Sequence, residues 1–263
     1  MSATPTAKKE LRRTLRAALS GVSRTEVLQQ SHRVQLRVQR IVEQLHRDRD
    51  REGKRAEARA PLSVGLYLGM THQPEVDTDA LARWLLQRGD AVWLPRCLPA
   101  AKQSERSAAS AASDASAQAP TRPHLAFLPL PSAESLTALQ PQGKYRLREP
   151  TASPAATRSY ALHPAPLDIL VVPCVGFHPR TLARIGWGAG YYDEFLERYR
   201  RVHGRVPLLV GVCLEQQLSV GVVGDARDWA MDAVVSGGAA GAAEGSVHVR
   251  GDEVGEWCSR AAQ

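Results

Sequence analysis

Residues 168–193 read DILVVPCVGFHPRTLARIGWGAGYYD. The first ten, Asp168–Phe177, are almost all apolar, as a strand buried on both faces of a parallel sheet must be. A glycine-rich turn follows, and then a helix from about Tyr191 to His203, stopped by Gly204. Outward from this unit the pattern repeats. Leu62–Leu68 reads as a strand, and Thr78–Arg88 as a helix capped by Asp77 or Thr78 and ended by Gly89. Ala91–Leu94 reads as a strand closed by Pro95. Leu125–Leu128, Leu208–Leu214 and Ala233–Ser236 supply the remaining strands. Strands alternating with helices predict an α/β fold, a three-layer arrangement in which a mostly parallel sheet is covered by helices on both faces.

Upstream lies a basic helical segment. Leu11, Leu15, Ala18 and Leu19 share one helix face. Ser23-Arg24-Thr25-Glu26 is a capping box opening a second helix, whose apolar stripe is Val27, Ser31, Val34, Val38, Ile41 and Leu45. His46–Ala60 is charged and poor in apolar residues, and reads as a loose connector. Ala100–Thr121 holds nine Ala and five Ser in 22 residues and reads as a disordered insertion. The expected organisation is one domain over residues 1–236, with residues 1–60 as its basic part and residues 100–121 as the insertion. A Gly/Ala-rich flexible tail is expected over residues 237–263.

Composition narrows the classes. The 263 residues are 43% hydrophobic and 23% charged, which excludes a disordered or fibrous chain. The longest apolar runs, Leu167–Phe177 and Pro207–Leu214, fall far short of the ~20 residues of a membrane span. The basic N-terminus has no apolar signal core. Cys97, Cys174, Cys213 and Cys258 form no CxxC pair, which suits a reducing compartment, so a cytoplasmic protein is expected. The net charge is +7, and residues 1–60 alone carry +8. Such a segment suits nucleic acid, a membrane surface or a small polyanion, and is ordinarily a solvated face. No zinc-finger spacing or aromatic RNA-binding signature accompanies it, so neither nucleic acid nor membrane is an expected partner.

The chemistry concentrates in the turn. Gly186, Gly188 and Gly190 let backbone N–H groups converge on an anion, the next helix adds its positive end, and Arg184 adds a permanent charge. The set suits a nucleoside triphosphate, and a plain structural turn is the alternative. A dinucleotide fingerprint needs glycine where Tyr191 stands, and a Walker loop needs Gly-Lys-Ser/Thr. Asp193, in the first turn of the helix, suits Mg²⁺ held jointly with phosphates, or simply the helix dipole. Asp228 and Asp232 offer further carboxylates beside Trp229. His178 reads as a solvated loop residue rather than a ligand.

These residues resemble the 5-formyltetrahydrofolate cyclo-ligase family. Its hallmark is a buried strand ending Pro-x-x-x-Phe, then Arg-Leu-Gly-x-Gly-x-Gly-Tyr-Tyr-Asp; here Pro173, Phe177 and Arg184–Asp193 match. Lys8-Lys9-Glu10-Leu11-Arg12, Tyr67-Leu68, Glu75–Thr78, Gln87–Gly89, Leu94-Pro95, Glu149-Pro150 and Asp228…Asp232–Val235 follow in the family's order. The resemblance implies ATP-dependent closure of 5-formyltetrahydrofolate to 5,10-methenyltetrahydrofolate, with release of ADP and phosphate after phosphorylation of the formyl oxygen. It further implies ATP contacts from Lys8, Arg12, Arg184, Gly186, Gly188, Ala189, Gly190 and Tyr192. Folate contacts would come from Leu68, Glu75, Trp187 and Tyr191, and Mg²⁺ would be held by Asp193 and Asp228. Arg184 and Asp193 would be the catalytic pair. The chain departs from the pattern at His178, where the family has Asp, and at Pro179–Ala183, which lacks a glycine and is one residue longer. Leu68–Glu75 is longer by two. The alternatives are a same-fold enzyme acting on another formyl or amide substrate, or a non-catalytic RNA- or nucleotide-binding module. The oligomeric state is open, with a monomer favoured.

Overall fold

Ile169–Val172 forms a central strand, β6, buried along its whole length. In the computed structural model, Ile169 and Val171 face one cluster of buried side chains while Leu170 and Val172 face another. That is the two-period of a strand between two layers. The described residues are 4–51, 60–70, 72–100, 121–143, 146–151, 166–225, 228–249, 254, 257–258 and 261.

In chain order the elements are α1 (Pro5–Ser20), α2 (Arg24–Arg51), β1 (Ser63–Gly65), α3 (Asp79–Gln87), β2 (Ala91–Leu98), β3 (His124–Leu130), α4 (Ala133–Ala138), β4 (Pro141–Gln142) and β5 (Leu147–Arg148). After β6 come β7 (Gly176–Phe177), β8 (Arg184–Ile185), α5 (Tyr191–His203), β9 (Leu208–Cys213), β10 (Ala233–Ser236) and β11 (Ser246–Val249). Seven strands form one sheet in the order β11-β10-β9-β6-β1-β2-β3. The five from β10 to β2 are parallel, and both edge strands run antiparallel. Val34, Val38 and Ile41 of α2 and Leu81 and Leu85 of α3 pack on one face. Phe195, Leu196 and Tyr199 of α5 pack on the other. The sheet grows in one direction from β1 and in the other from β6, so the crevice beyond their carboxyl ends is the topological switch point, where open α/β sheets bind ligands.

Several elements depart from the sequence reading. The Asp168–Phe177 run is broken at Pro173, and β7 leaves the main sheet to pair with β8. Proline has no N–H to give a ladder, and the chain bends at Val175 before β7 begins. Pro95 does not close β2, because β1 has already ended opposite Trp93 and Pro95 needs only β3 beside it. The charged stretch from His46 continues α2 to Arg51, because its side chains find partners at the amino ends of the strands. His46 Nε2 lies 2.8 Å from Asp90 Oδ1, and Arg49 pairs with Asp168. The stretch after Gly237, read as a flexible tail, contains β11. Arginines of α2 hold the turn before it: Arg33 Nε donates to Gly237 O at 2.5 Å, and Arg37 pairs with Glu244. Trp257 Nε1 donates to Asp48 Oδ2 at 2.7 Å. Of the expected insertion, residues 101–120 lie outside the described residues; its flanks meet as the pair Leu98–His124.

Candidate functional site

Beyond Pro173 the chain makes a short hairpin before the glycine turn. His178 Nδ1 accepts the N–H groups of Arg180 (3.0 Å) and Thr181 (3.1 Å), so the His178 ring closes the hairpin turn. Gly176 sits where a Cβ would lie 2.6 Å from Leu15 Cδ1, which lets α1 lie close over β7. That contact brings the basic face of α1 to the glycine turn. Lys8, Arg12 and Arg16 are four residues apart and so share a face. Arg12 Nε donates to Gly186 O at 2.7 Å, and the Arg16 guanidinium lies 4.3 Å from the centre of the Trp187 ring. Lys8 Nζ lies 3.1 Å from Asp225 Oδ2 and 2.9 Å from Asp228 Oδ2. Burial pulls the Lys8 ammonium down, and its bonds to Asp228 and Asp225 more than reverse that, leaving it above its ordinary value.

Gly188 and Gly190 have φ of 109° and 68°, the left-handed region that glycine enters at little cost. Gly190 begins α5, and Asp193 falls in its first turn. Asp193 Oδ2 accepts from Arg184 at 2.7 Å and Oδ1 from the Trp229 N–H at 3.2 Å. Arg184 is buried beneath the turn, because Gly186 has no Cβ; one would come 2.9 Å from Arg184 Nη1.

Two cavities flank the turn. The first, about 440 Å³, lies at the switch point and is lined by Glu75, Met70, Cys174, Gln217, Arg16 and Trp187, among others. Glu75 Oε2 accepts the Met70 N–H at 3.0 Å; burial pushes its carboxyl up to about 7, against the pull of that bond. The second, about 770 Å³, is lined by the turn from Gly188 to Gly190, by the carboxylates of Asp193, Glu194, Glu197, Asp225 and Asp228, and by Arg122 and Arg201.

The residues singled out by sequence divide accordingly. Glu75 and Trp187 line the first cavity; Gly188, Ala189, Gly190, Asp193 and Asp228 line the second. Lys8 reaches the second through Asp225 and Asp228, and Arg12 meets the carbonyl of Gly186. Leu68, Tyr191 and Tyr192 are instead packed into the hydrophobic clusters, Tyr192 edge-on to Phe127 with ring centres 6.5 Å apart. Asp232 serves the fold: its Oδ2 accepts the Leu209 N–H at 2.8 Å. Sequence reading missed Arg16, legible as the next step of the Lys8–Arg12 spacing, and Asp225, three residues before Asp228. It also missed Gln217, whose Nε2 donates to Cys174 O at 2.7 Å and for which no local pattern gives a signal.

As for a cation, Asp193 and Asp228 present hard oxygen donors to one cavity, and an ammonium already bridges Asp225 and Asp228 there. That donor chemistry fits Mg²⁺. Among the described residues no group of three or more His, Cys, Asp or Glu could hold a metal by itself, so phosphate or water would have to supply the rest. No helix among the described residues is long and apolar enough to cross a membrane.

The sequence profile of the 5-formyltetrahydrofolate cyclo-ligase family matches residues 4–237. A 5-formyltetrahydrofolate cyclo-ligase of Saccharomyces cerevisiae is 37% identical over 186 residues, 70% of this chain and 77% of the yeast protein. One of Mus musculus is 24% identical over 172 residues, covering 65% and 71%. The solution structure of Aquifex aeolicus 5,10-methenyltetrahydrofolate synthetase shares the fold, with a TM-score of 0.54, 21% identity and 93% coverage of each chain.

Proposed function

This chain belongs to the 5-formyltetrahydrofolate cyclo-ligase family, a family of ligases, and from that premise we propose that it closes 5-formyltetrahydrofolate to 5,10-methenyltetrahydrofolate at the expense of ATP. The observation that carries the reading is the pair of cavities on either side of Gly186–Gly190, one suited to a ring with a hydrogen-bonding edge and the other to a polyphosphate.

In the first cavity Glu75, when ionised, accepts the N–H groups of an amino-pyrimidinone edge, and Trp187 offers a flat apolar face. In the second, the N–H groups around Gly188 and Gly190 and the start of α5 receive phosphate oxygens, with Lys8 and Arg12 adding charge. The γ-phosphoryl group of ATP passes to the formyl oxygen, giving ADP. The neighbouring amine nitrogen of the folate then attacks the activated carbon and gives up its proton to solvent, and the C–O bond breaks to release phosphate. Neither step needs a protein nucleophile; positioning and charge carry the barrier. Mg²⁺, held by Asp193 and Asp228, would neutralise phosphate charge when bound. Arg184 holds Asp193 in place from below.

The test is the appearance of methenyl-folate absorbance from 5-formyltetrahydrofolate with Mg-ATP, and its absence when either is withheld. No product would overturn the reading. Product from other formyl or amide compounds at equal efficiency would favour a same-fold enzyme of different substrate. Salt-sensitive RNA binding without turnover would favour a binding module.

A further inference from the structure

Glu75 sits on a segment that leaves the sheet after β1 and returns at α3. The segment folds back on itself. Tyr67 Oη donates to Val76 O at 3.0 Å, and a Cβ on Gly69 would lie 2.9 Å from Val76 O and 3.6 Å from the Asp77 Cα. Its outgoing and returning arms thus lie side by side, as at the neck of an Ω-loop. Arg148, 69 residues beyond Asp79 in the chain, reaches that neck. Its Nη1 donates to Asp79 Oδ2 at 2.7 Å and its Nη2 to Asp79 Oδ1 at 2.6 Å, a two-pronged guanidinium–carboxylate pair. Nη2 also approaches Gly69 O at 3.5 Å. One side chain therefore touches both ends of the segment.

Arg148 is itself anchored. The next residue, Glu149, accepts the Cys97 N–H on Oε1 at 2.9 Å, and Arg96 donates to Pro150 O. A continuous line of bonds runs from β2 through residues 148–150 to Gly69 and Asp79. Arg148 lies on β5 of a hairpin whose Pro141, Gln142 and Gly143 are exposed, yet its own side chain is 16% exposed, shielded where it meets the neck.

We propose that Arg148 is a positioning residue for the substrate: by clasping Gly69 and Asp79 it fixes the loop so that the Glu75 carboxylate meets the ring edge of the folate. The inference rests on the proposed function for the identity of that ligand. A loop that leaves the sheet and returns to it has freedom that must be removed before Glu75 is placed, and a clasp at the neck removes it at its narrowest point. Lysine cannot reproduce the fork.

The experiment compares wild type with Arg148→Ala, Arg148→Lys, Glu75→Gln and the Glu75→Gln/Arg148→Ala pair. It reads the Kd of 5-formyltetrahydrofolate calorimetrically without ATP, and KM and kcat with Mg-ATP. Arg148→Ala should raise Kd and folate KM about tenfold while leaving ATP KM and saturating kcat within about twofold, with Arg148→Lys in between. Adding Arg148→Ala to Glu75→Gln should weaken binding little further, because the arginine acts through Glu75. Unchanged folate Kd in Arg148→Ala, or losses that multiply in the double variant, would overturn the proposal. If Arg148→Ala does not fold by circular dichroism, Arg148→Lys alone is read by the same criteria. Wild type that binds folate but forms no product would sink the reaction and leave the clasp readable through Kd; wild type that binds no folate would sink both.

Discussion

A carboxyl group half-buried near Tyr67, Cys174 and Tyr192, with one backbone N–H from Met70 as its bond donor, ionises late, and desolvation pushes Glu75 up to about 7. Between the ordinary carboxyl range and about 7 the folded chain holds a proton that the unfolded chain has lost. Stability therefore falls as pH rises through that window. Glu75→Gln should raise the melting temperature at pH 8 by an amount worth ~1–3 kcal/mol and flatten the pH dependence between about 4.5 and 7. An unchanged melting profile would show that Glu75 is better solvated than its surroundings imply. Folate binding should tighten as pH rises through about 7, since the ionised form is the acceptor, and below that pH it should release a proton, visible in calorimetry across buffers of different ionisation enthalpy. Asp193 is a second single-residue test. Asp193→Asn keeps the acceptor for the Trp229 N–H but loses charge towards Arg184 and any cation. Turnover should fall at least about a hundredfold at low Mg²⁺ with the fold intact; normal turnover there would remove the cation from Asp193.

At the scale of the element, α1 acts as a rack of cations held against the glycine turn. Lys8→Ala and Arg12→Ala should each weaken ATP binding roughly ten- to a hundredfold, as a charge-assisted contact is worth ~1.5–3 kcal/mol. Folate Kd measured without ATP should move far less, and helix content should stay near wild type. Equal effects on both ligands would mean that α1 braces the whole turn rather than serving one cavity. Gly188→Ala tests the turn itself. A Cβ would find room 3.6 Å from Arg12 Cζ, so the penalty is the backbone's, ~1–2 kcal/mol for holding a left-handed φ.

Over the whole molecule, the sheet and its two helical layers were legible because burial writes itself into periodicity. Ile169–Val172 and the α2 stripe from Val27 to Ile41 needed no knowledge of their neighbours. What escaped the sequence depended on neighbours. β11 is Ser-Val-His-Val behind a Gly/Ala run, ordered by β10 and by arginines more than 200 residues earlier. Likewise α2 runs through its charged end because Asp90 and Asp168 lie opposite it. At the site, the glycine turn was legible as a motif, whereas Arg16, Asp225 and Gln217 become meaningful only once α1 and the chain after β9 are brought together. Two deletions follow from this contrast. Removing Ser104–Gln118 shortens the connection between Leu98 and His124 without touching their pairing, and should leave the melting temperature unchanged or slightly higher. Ending the chain at Gly237 should lower it by several degrees and promote association through the bared edge of β10.

Lys8 and Asp228, bonded at 2.9 Å, are separated by 220 positions in the chain. At ribosomal speeds of ~5–20 residues per second, the helix that carries the cations waits roughly ten to forty seconds for the carboxylates that complete its cavity. Until then those cations have no such partners, and the nascent chain passes through the tunnel exit as a basic amphipathic helix without its sheet. On the proposed function, nucleotide binding would be a last-formed property, so a nascent chain arrested before residue 225 should fail to retain ATP, whereas one released at residue 249 should hold it.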